Sequence, residues 1–137
     1  MSLLFIADPE VKMIESYIHR GRSFLMAHEG RVIGVYVLLA TRPNTVEIMN
    51  IALVNSMQGK GLGEKLLCHA LETARKLGYK TIEIGTGSTG MSQLYLYQKC
   101  GFRIVGVEVD YFVRNYSTPL YENGLRIRDM VRLSQTL

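Results

Sequence analysis

The chain is short of the groups that hold metals, disulfides or membranes. It has two cysteines, Cys68 and Cys100, and three histidines, His19, His28 and His69, in 137 residues. Two thiols so far apart do not make a zinc site, and the histidines share no ligand spacing, so no metal is predicted. Both thiols are expected to be reduced, because no signal sequence directs the chain to an oxidising compartment. With three prolines there is no Pro-rich linker, and no low-complexity segment or internal repeat is present. The apolar opening Leu3-Leu4-Phe5-Ile6-Ala7 is cut off by Asp8-Pro9. It is too short for a signal-peptide core or a membrane span, and no basic residue precedes it, so a cytoplasmic location and no membrane partner are expected. Charge of one sign is not concentrated either. The net charge is +4 and the pI about 9.2, yet the basic residues form no run and do not interleave with aromatics. No nucleic-acid partner is therefore predicted, and the modest positive excess suits an anionic cofactor.

What is present describes an ordinary globular chain, 47% hydrophobic and 20% charged. Residues 1–137 are expected to form a single domain, long enough to bury roughly two-thirds of its unfolded surface. Asp8-Pro9 reads as the cap and first residue of a helix with Val11, Ile14, Tyr17 and Ile18 on one face and Gly21 at its end. Phe24 to Ala27 and Val32 to Leu39 read as a hairpin around His28-Glu29-Gly30-Arg31, followed by a turn at Thr41-Arg42-Pro43-Asn44. Val46 to Val54 is the next strand. Leu62, Leu66, Ala70, Ala74 and Leu77 mark a helix closed by Gly78, and Thr81 to Ile84 follows as a strand, which implies a parallel crossover. A second helix from about Met91 to Lys99 stops at Gly101. Phe102 to Val109 is a strand, Glu122-Asn123-Gly124 a turn, and Leu125 to Leu133 a final, half-exposed strand. This order predicts a mixed α/β sheet.

The densest signal is Gln58-Gly59-Lys60-Gly61-Leu62-Gly63, between a strand and an amphipathic helix. Glycines at alternate positions let backbone N–H groups crowd toward one ligand at a helix N-terminus, where the dipole favours negative charge. A diphosphate fits that description, although glycines can also merely relieve tight packing. A Walker A loop is excluded because Glu64-Lys65 follows Gly63, and Glu64 spoils a dinucleotide fingerprint starting at Gly59.

The form Q-x-x-G-x-G at a strand-to-helix joint resembles the acyl-CoA loop of the GNAT family of N-acetyltransferases. Leu96-Tyr97-Gln98-Lys99-Cys100-Gly101-Phe102 is similar to the L-Y-x-x-x-G-F segment of the same family, at the right distance. The resemblance covers almost the whole chain. It implies a single-domain α/β GNAT fold: a mixed, mostly antiparallel sheet with a splayed parallel strand pair and flanking helices. The first edge strand is short or missing, since only Leu3 to Ile6 is available as a stub, and an uncovered edge near Phe24 invites a homodimer.

The resemblance also implies a cosubstrate, acetyl-CoA, and an acceptor, a small-molecule or peptide amine. Cofactor contacts are expected from Ile51, Ala52 and Leu53 along the strand, from Gln58, Gly59, Lys60, Gly61, Leu62 and Gly63 in the loop, and from Tyr97. Many members carry an Asn near the start of the second helix. Here Ser88-Thr89-Gly90-Met91-Ser92 has none, so Ser88, Thr89 or Ser92 is the substitute donor. Tyr97 is the expected acid for the departing thiolate, with core packing as its alternative role. Glu47, eleven positions before Gln58, is where some members place a base. On an alternating strand it shares a face with Met49, Ile51 and Leu53, and apolar neighbours would raise its pKa. A surface charge, or a partner for Arg42, is the plainer reading. Tyr111, Tyr116, Tyr121, Glu122 and Asp129 are candidates for an aromatic and acidic acceptor wall. Cys100 is expected to be a buried, inert thiol.

Two rivals remain. One is a GNAT-like module that binds acyl-CoA without turnover. The other is a dinucleotide site at Gly85-Thr86-Gly87-Ser88-Thr89-Gly90, a literal G-x-G-x-x-G with Asp110 twenty residues on. The short following helix and the lack of room for a substrate domain count against the second.

Overall fold

The computed structural model describes residues 20–59 and 61–137. The expected helix after Asp8-Pro9, the Leu3 to Ile6 stub and Lys60 lie outside the described residues. The chain divides into two compact units, one ending at Ile82 and taking in Leu137, the other spanning Glu83–Thr136.

In the first unit, β1 (Arg22–His28) and β2 (Arg31–Arg42) form the expected hairpin. Glu29 and Gly30 both have positive φ, the tight turn whose twist matches that of paired strands. β3 (Thr45–Leu53) returns antiparallel to β2, with Val35 opposite Ala52 and Gly34 opposite Leu53. A 3₁₀ turn at Asn55–Met57 leads into α1 (Leu62–Lys76). The helix buries Leu66, Leu67, Ala70, Leu71 and Ala74, each large side chain contributing about 1.5–3 kcal/mol. That stripe is broader than the expected one: Leu67 and Leu71 join it, while Leu77 is exposed. A polar anchor adds direction to the apolar packing. Tyr36 on β2 is buried, stacks on Phe24 at 4.9 Å, and its hydroxyl is 2.7 Å from His69 Nδ1 and 2.8 Å from Thr73 Oγ1, both on α1. Burial pushes the Tyr36 pKa up, offset in part by the Thr73 hydrogen bond.

α1 ends as expected at Gly78. The N–H of Gly78 donates to Arg75 O and that of Tyr79 to Ala74 O, which satisfies the last carbonyls while glycine takes the left-handed conformation. The chain then enters β4 (Thr81–Gly87), whose first residues belong to this unit. The N–H groups of Lys80 and Thr81 both donate to Asn44 O, so β4 starts beside the start of β3 and runs parallel to it. The strand order is β1-β2-β3-β4.

In the second unit β4 continues, followed by α2 (Met91–Lys99), β5 (Arg103–Glu108), a short α3 (Tyr111–Asn115), the hairpin β6 (Tyr121–Glu122) and β7 (Leu125–Arg126), and β8 (Met130–Thr136). The order is β4-β8-β5, with β5 and β8 antiparallel. The class is the expected mixed α/β, but two elements differ from expectation. The connection between Val109 and Glu122, where no element was expected, contains the one-turn helix α3. The final strand is not continuous from Leu125 to Leu133: it breaks at Ile127 to Asp129, whose peptide groups are used elsewhere. Ile127 N–H donates to Leu120 O, while Arg128 O accepts from Phe112 N–H and Asp129 O from Ser88 N–H. No helix among the described residues is long and apolar enough to cross a membrane.

Candidate active site

In the first unit the candidate site is made of main chain. Val54 N–H donates to Ile33 O at 2.8 Å, which makes Gly34 and Leu53 a pair that does not exchange hydrogen bonds. By alternation Ala52 turns its peptide groups to β2, while Ile51 and Leu53 turn theirs away from it. The chain then folds back, and Gln58 Nε2 donates to Leu53 O at 3.2 Å, closing the 3₁₀ turn. Gly59 and Gly61 follow with φ of 79° and 76°. A Cβ built on either would meet nothing within 4 Å. These glycines therefore do not relieve tight packing; their backbone conformation requires them. Gly61 caps α1 without a side chain, and the first intrahelical bond is Lys65 N–H to Gly61 O at 3.3 Å. The N–H groups of Leu62 and Gly63 have no acceptor within the helix and share its positive end. This arrangement fits an anionic diphosphate and an extended amide-bearing arm.

Glu47 lies on β3 opposite Leu39 and is half-buried, as are Met49 and Ile51, whereas Leu53 is buried. Between them the register with β2 slips at Val37/Leu38, so Met49 is an extra residue opposite one step of β2. Such a bulge bends a strand and re-aims its side chains. The buried Asn50 follows at once. Nothing in the local sequence signalled the bulge, and Asn50 was not among the expected site residues.

In the second unit the groups are side chains. Tyr97 is buried on α2 and packs on Phe102 with ring centroids 6.2 Å apart. This contact is the apolar half of a helix-ending motif. Gly101 N–H donates to Gln98 O and Phe102 N–H to Tyr97 O, with Gly101 left-handed at φ 99°. The Y-x-x-x-G-F pattern is thus also the pattern that stops α2 and holds the Tyr97 ring. Burial, and secondarily the charge of Glu122, pushes the Tyr97 pKa far above the usual phenol value, so the hydroxyl keeps its proton. Thr89 Oγ1 donates to Glu122 Oε1 at 3.3 Å, and Asn123 Nδ2 donates to Thr89 O at 2.8 Å.

The other expected acceptor-wall residues separate. Tyr111 and Tyr116 belong to an aromatic cluster around Phe112, and Arg132 lies over the Tyr111 ring at 5.8 Å. Tyr121 is exposed on β6. Asp129 Oδ1 accepts the Asp110 N–H at 2.9 Å, a turn-stabilising role. Of the residues expected to replace the missing Asn, the Thr89 hydroxyl is committed to Glu122, Ser92 donates to Gln93 at 3.1 Å, and the Ser88 N–H is held by Asp129 O. Cys100 is half-buried rather than buried, and its carbonyl accepts from Gln135.

The second glycine cluster is of another kind. Gly85 and Gly87 lie within β4, and a Cβ there would come within 2.7 Å of Met130 Sδ and 2.6 Å of Ile127 Cγ2. The chain's own side chains occupy the space that a dinucleotide pyrophosphate needs.

Residues 5–102 match the family described as the acetyltransferase (GNAT) family. Over 131 residues the chain is 51% identical to an uncharacterised N-acetyltransferase of Bacillus subtilis (strain 168), YvbK, covering 96% of this chain and 84% of that one. Among solved structures it superimposes on an IAA acetyltransferase from Bacillus cereus ATCC 14579 with a TM-score of 0.96, at 53% identity over 99% of this chain and 91% of the other. A GNAT family acetyltransferase from Elizabethkingia anophelis with acetyl-CoA bound gives a TM-score of 0.97, at 40% identity over 99% and 89%.

Proposed function

The chain belongs to the GNAT family of acetyltransferases, and from that premise we propose that it moves an acetyl group from acetyl-CoA to a primary amine by direct attack in a ternary complex. Residues 1–137 act as one N-acetyltransferase domain in the cytoplasm. The observation that carries this reading is the run from Leu53 to Gly61: a strand end with peptide groups turned away from β2, followed by left-handed glycines with open space where a Cβ would be.

Acetyl-CoA supplies the thioester carbonyl that the amine attacks. Ile51 and Leu53 hold the pantetheine amides with their outward peptide groups, and the Leu53 N–H steadies the carbonyl oxygen as it gains charge. The N–H groups of Gly59, Gly61, Leu62 and Gly63 hold the diphosphate at the start of α1. Gln58 positions this loop through its bond to Leu53 O. Glu47, directly or through water, takes the proton of the attacking ammonium. Tyr97 hydrogen-bonds the sulfur as it departs, and its raised pKa keeps the donor protonated at neutral pH.

Calorimetry with acetyl-CoA and NADH, followed by a CoA-release assay over a panel of primary amines, tests the reading. Binding of acetyl-CoA but not NADH, with amine-dependent CoA release, is expected. Binding of acetyl-CoA with no release for any amine would favour a binding-only module.

A further inference from the structure

β5 (Arg103–Glu108) differs sharply from its neighbour β8. Whereas β8 buries Val131 and Leu133, no residue of β5 is buried. Ile104, Val105 and Val107 are 51%, 63% and 57% exposed, and Val109, just beyond the strand, is 63% exposed. β5 also ends the strand order β4-β8-β5, so its outer edge pairs with no strand among the described residues. Single exposed apolar residues are ordinary. A run of them along an unpaired edge is a surface suited to being covered.

The strand is bulged in a way that makes it match itself. Val105 is an extra residue. Ile104 lies opposite Leu133 and Val107 opposite Val131, while Arg103, Gly106 and Glu108 lie opposite Ser134, Arg132 and Met130. Residues directly opposite each other share a face and a peptide direction. Ile104 and Val107 therefore agree in both, and so do Arg103 and Glu108; in a strand without the bulge neither pair would agree. Two β5 strands can then lie antiparallel about a two-fold axis between Val105 and Gly106. Ile104 of each copy falls opposite Val107 of the other, and Arg103 opposite Glu108, with the two bulges facing each other so that the strands stay in step. The end charges are complementary. Arg103 is exposed and meets no carboxylate among the described residues, and Glu108 is held in place by Arg114 and Arg132.

Gly106 is a second, independent observation. Its φ is not positive, and a Cβ built on it would meet nothing within 4 Å. Neither backbone conformation nor packing within the chain calls for glycine there. A glycine inside a strand marks a place where another backbone comes close. In the two-fold pairing Gly106 lies opposite Val105 of the second copy, a small residue against a branched one.

We propose that the chain forms a homodimer in which two β5 strands pair antiparallel, Arg103 against Glu108 and Ile104 against Val107. The interface is isologous, as a two-fold axis requires. It lies on a different strand from the edge near Phe24, and it does not depend on the acetyltransferase reading. The competing role of the bulge is protection, bending an edge strand so that nothing adds to it. That role predicts a monomer.

Sedimentation of the full chain tests the proposal. The parent should run at twice the 15.5 kDa of one chain. Val105→Lys, at an exposed position, brings like charges together at the axis. It should weaken the dimer at least about 100-fold with an unchanged far-ultraviolet spectrum. Arg103→Glu sets carboxylate against carboxylate and should weaken it at least about tenfold, less so at high salt. The register is read by oxidation in a Cys68→Ser background. Ile104→Cys and Val107→Cys proteins, mixed in oxidised glutathione, should give a cross-linked dimer. Neither should do so alone, because each position lies about 10 Å along the strand from its own twin, beyond disulfide reach. A parent that stays monomeric at about 0.5 mM overturns the inference. So does a dimer that both Val105→Lys and Arg103→Glu leave intact, or one whose mixture cross-links no better than either cysteine variant alone.

Discussion

The two units carry their chemistry in different parts of the chain. In the first, the groups proposed to meet a ligand are main-chain N–H and C=O, at Ile51, Leu53 and the glycine loop. In the second the candidate groups are side chains: a buried phenol, a carboxylate, and the hydroxyl and amide that fasten it. Main-chain chemistry is insensitive to most substitutions and sensitive to those that change φ, because only conformation places the donors. Side-chain chemistry fails atom by atom, since removing one hydroxyl removes the function and leaves the fold. The two regions should therefore respond differently to mutation: the first through binding, the second through turnover.

The sharpest form of this contrast is Tyr97→Phe, which keeps the ring on Phe102 and deletes the donor. Its kcat should fall roughly 10- to 1000-fold with acetyl-CoA affinity nearly unchanged. Parental turnover, with chemistry shown to be rate-limiting, would return Tyr97 to a packing role.

Glu47 is the one side chain of the first unit given a chemical role, so it can break the contrast. If it is the base, Glu47→Gln should lower kcat/KM for the amine about a hundredfold and remove the acidic limb of the pH profile. An unchanged limb assigns the proton to water or to another carboxylate, and leaves the first unit a purely main-chain site.

Gly61→Val tests the main-chain side. The left-handed φ of 76° opposes any β-branched residue although the space around it is open. Acetyl-CoA affinity should fall at least tenfold, about 1.4 kcal/mol, with the far-ultraviolet spectrum unchanged. A folded variant that binds as tightly as the parent would show that the loop does not hold the cofactor.

The smallest effect is an alkaline one. The Tyr97 pKa is raised in the fold above the value of about 10 in the unfolded chain. Stability from keeping the phenol neutral is therefore intact below pH about 10 and is lost progressively as pH rises beyond it. Chemical denaturation from neutral to strongly alkaline pH should show a shallower alkaline loss in Tyr97→Phe than in the parent. Parallel curves would mean that the folded phenol ionises like an ordinary one.

Much of this was legible locally. Glycine spacing announced both the left-handed turn before α1 and the ends of α1 and α2, because a left-handed residue admits few alternatives. The hairpin at Glu29-Gly30 and the turn at Asn123-Gly124 were readable for the same reason. The split of the last strand was not, since Leu125 to Leu133 alternates well enough for one strand. What breaks it are the distant partners Leu120, Phe112 and Ser88 that claim its peptide groups. The five aromatic and acidic candidates in the C-terminal third looked alike along the chain. Only their neighbours separate Tyr111, under Arg132, from Glu122, fastened by Thr89.

The sequence by itself determined the order of elements, the parallel crossover and the backbone conformation of the loop, because hydrophobic period and glycine act over a few residues. Tertiary structure decided which glycines are open and which are filled by Met130 and Ile127, where β3 bulges, and that Glu122 is held by Thr89. Those outcomes depend on atoms far apart in the chain competing for the same space and the same hydrogen bonds, and no local pattern of residues records that competition.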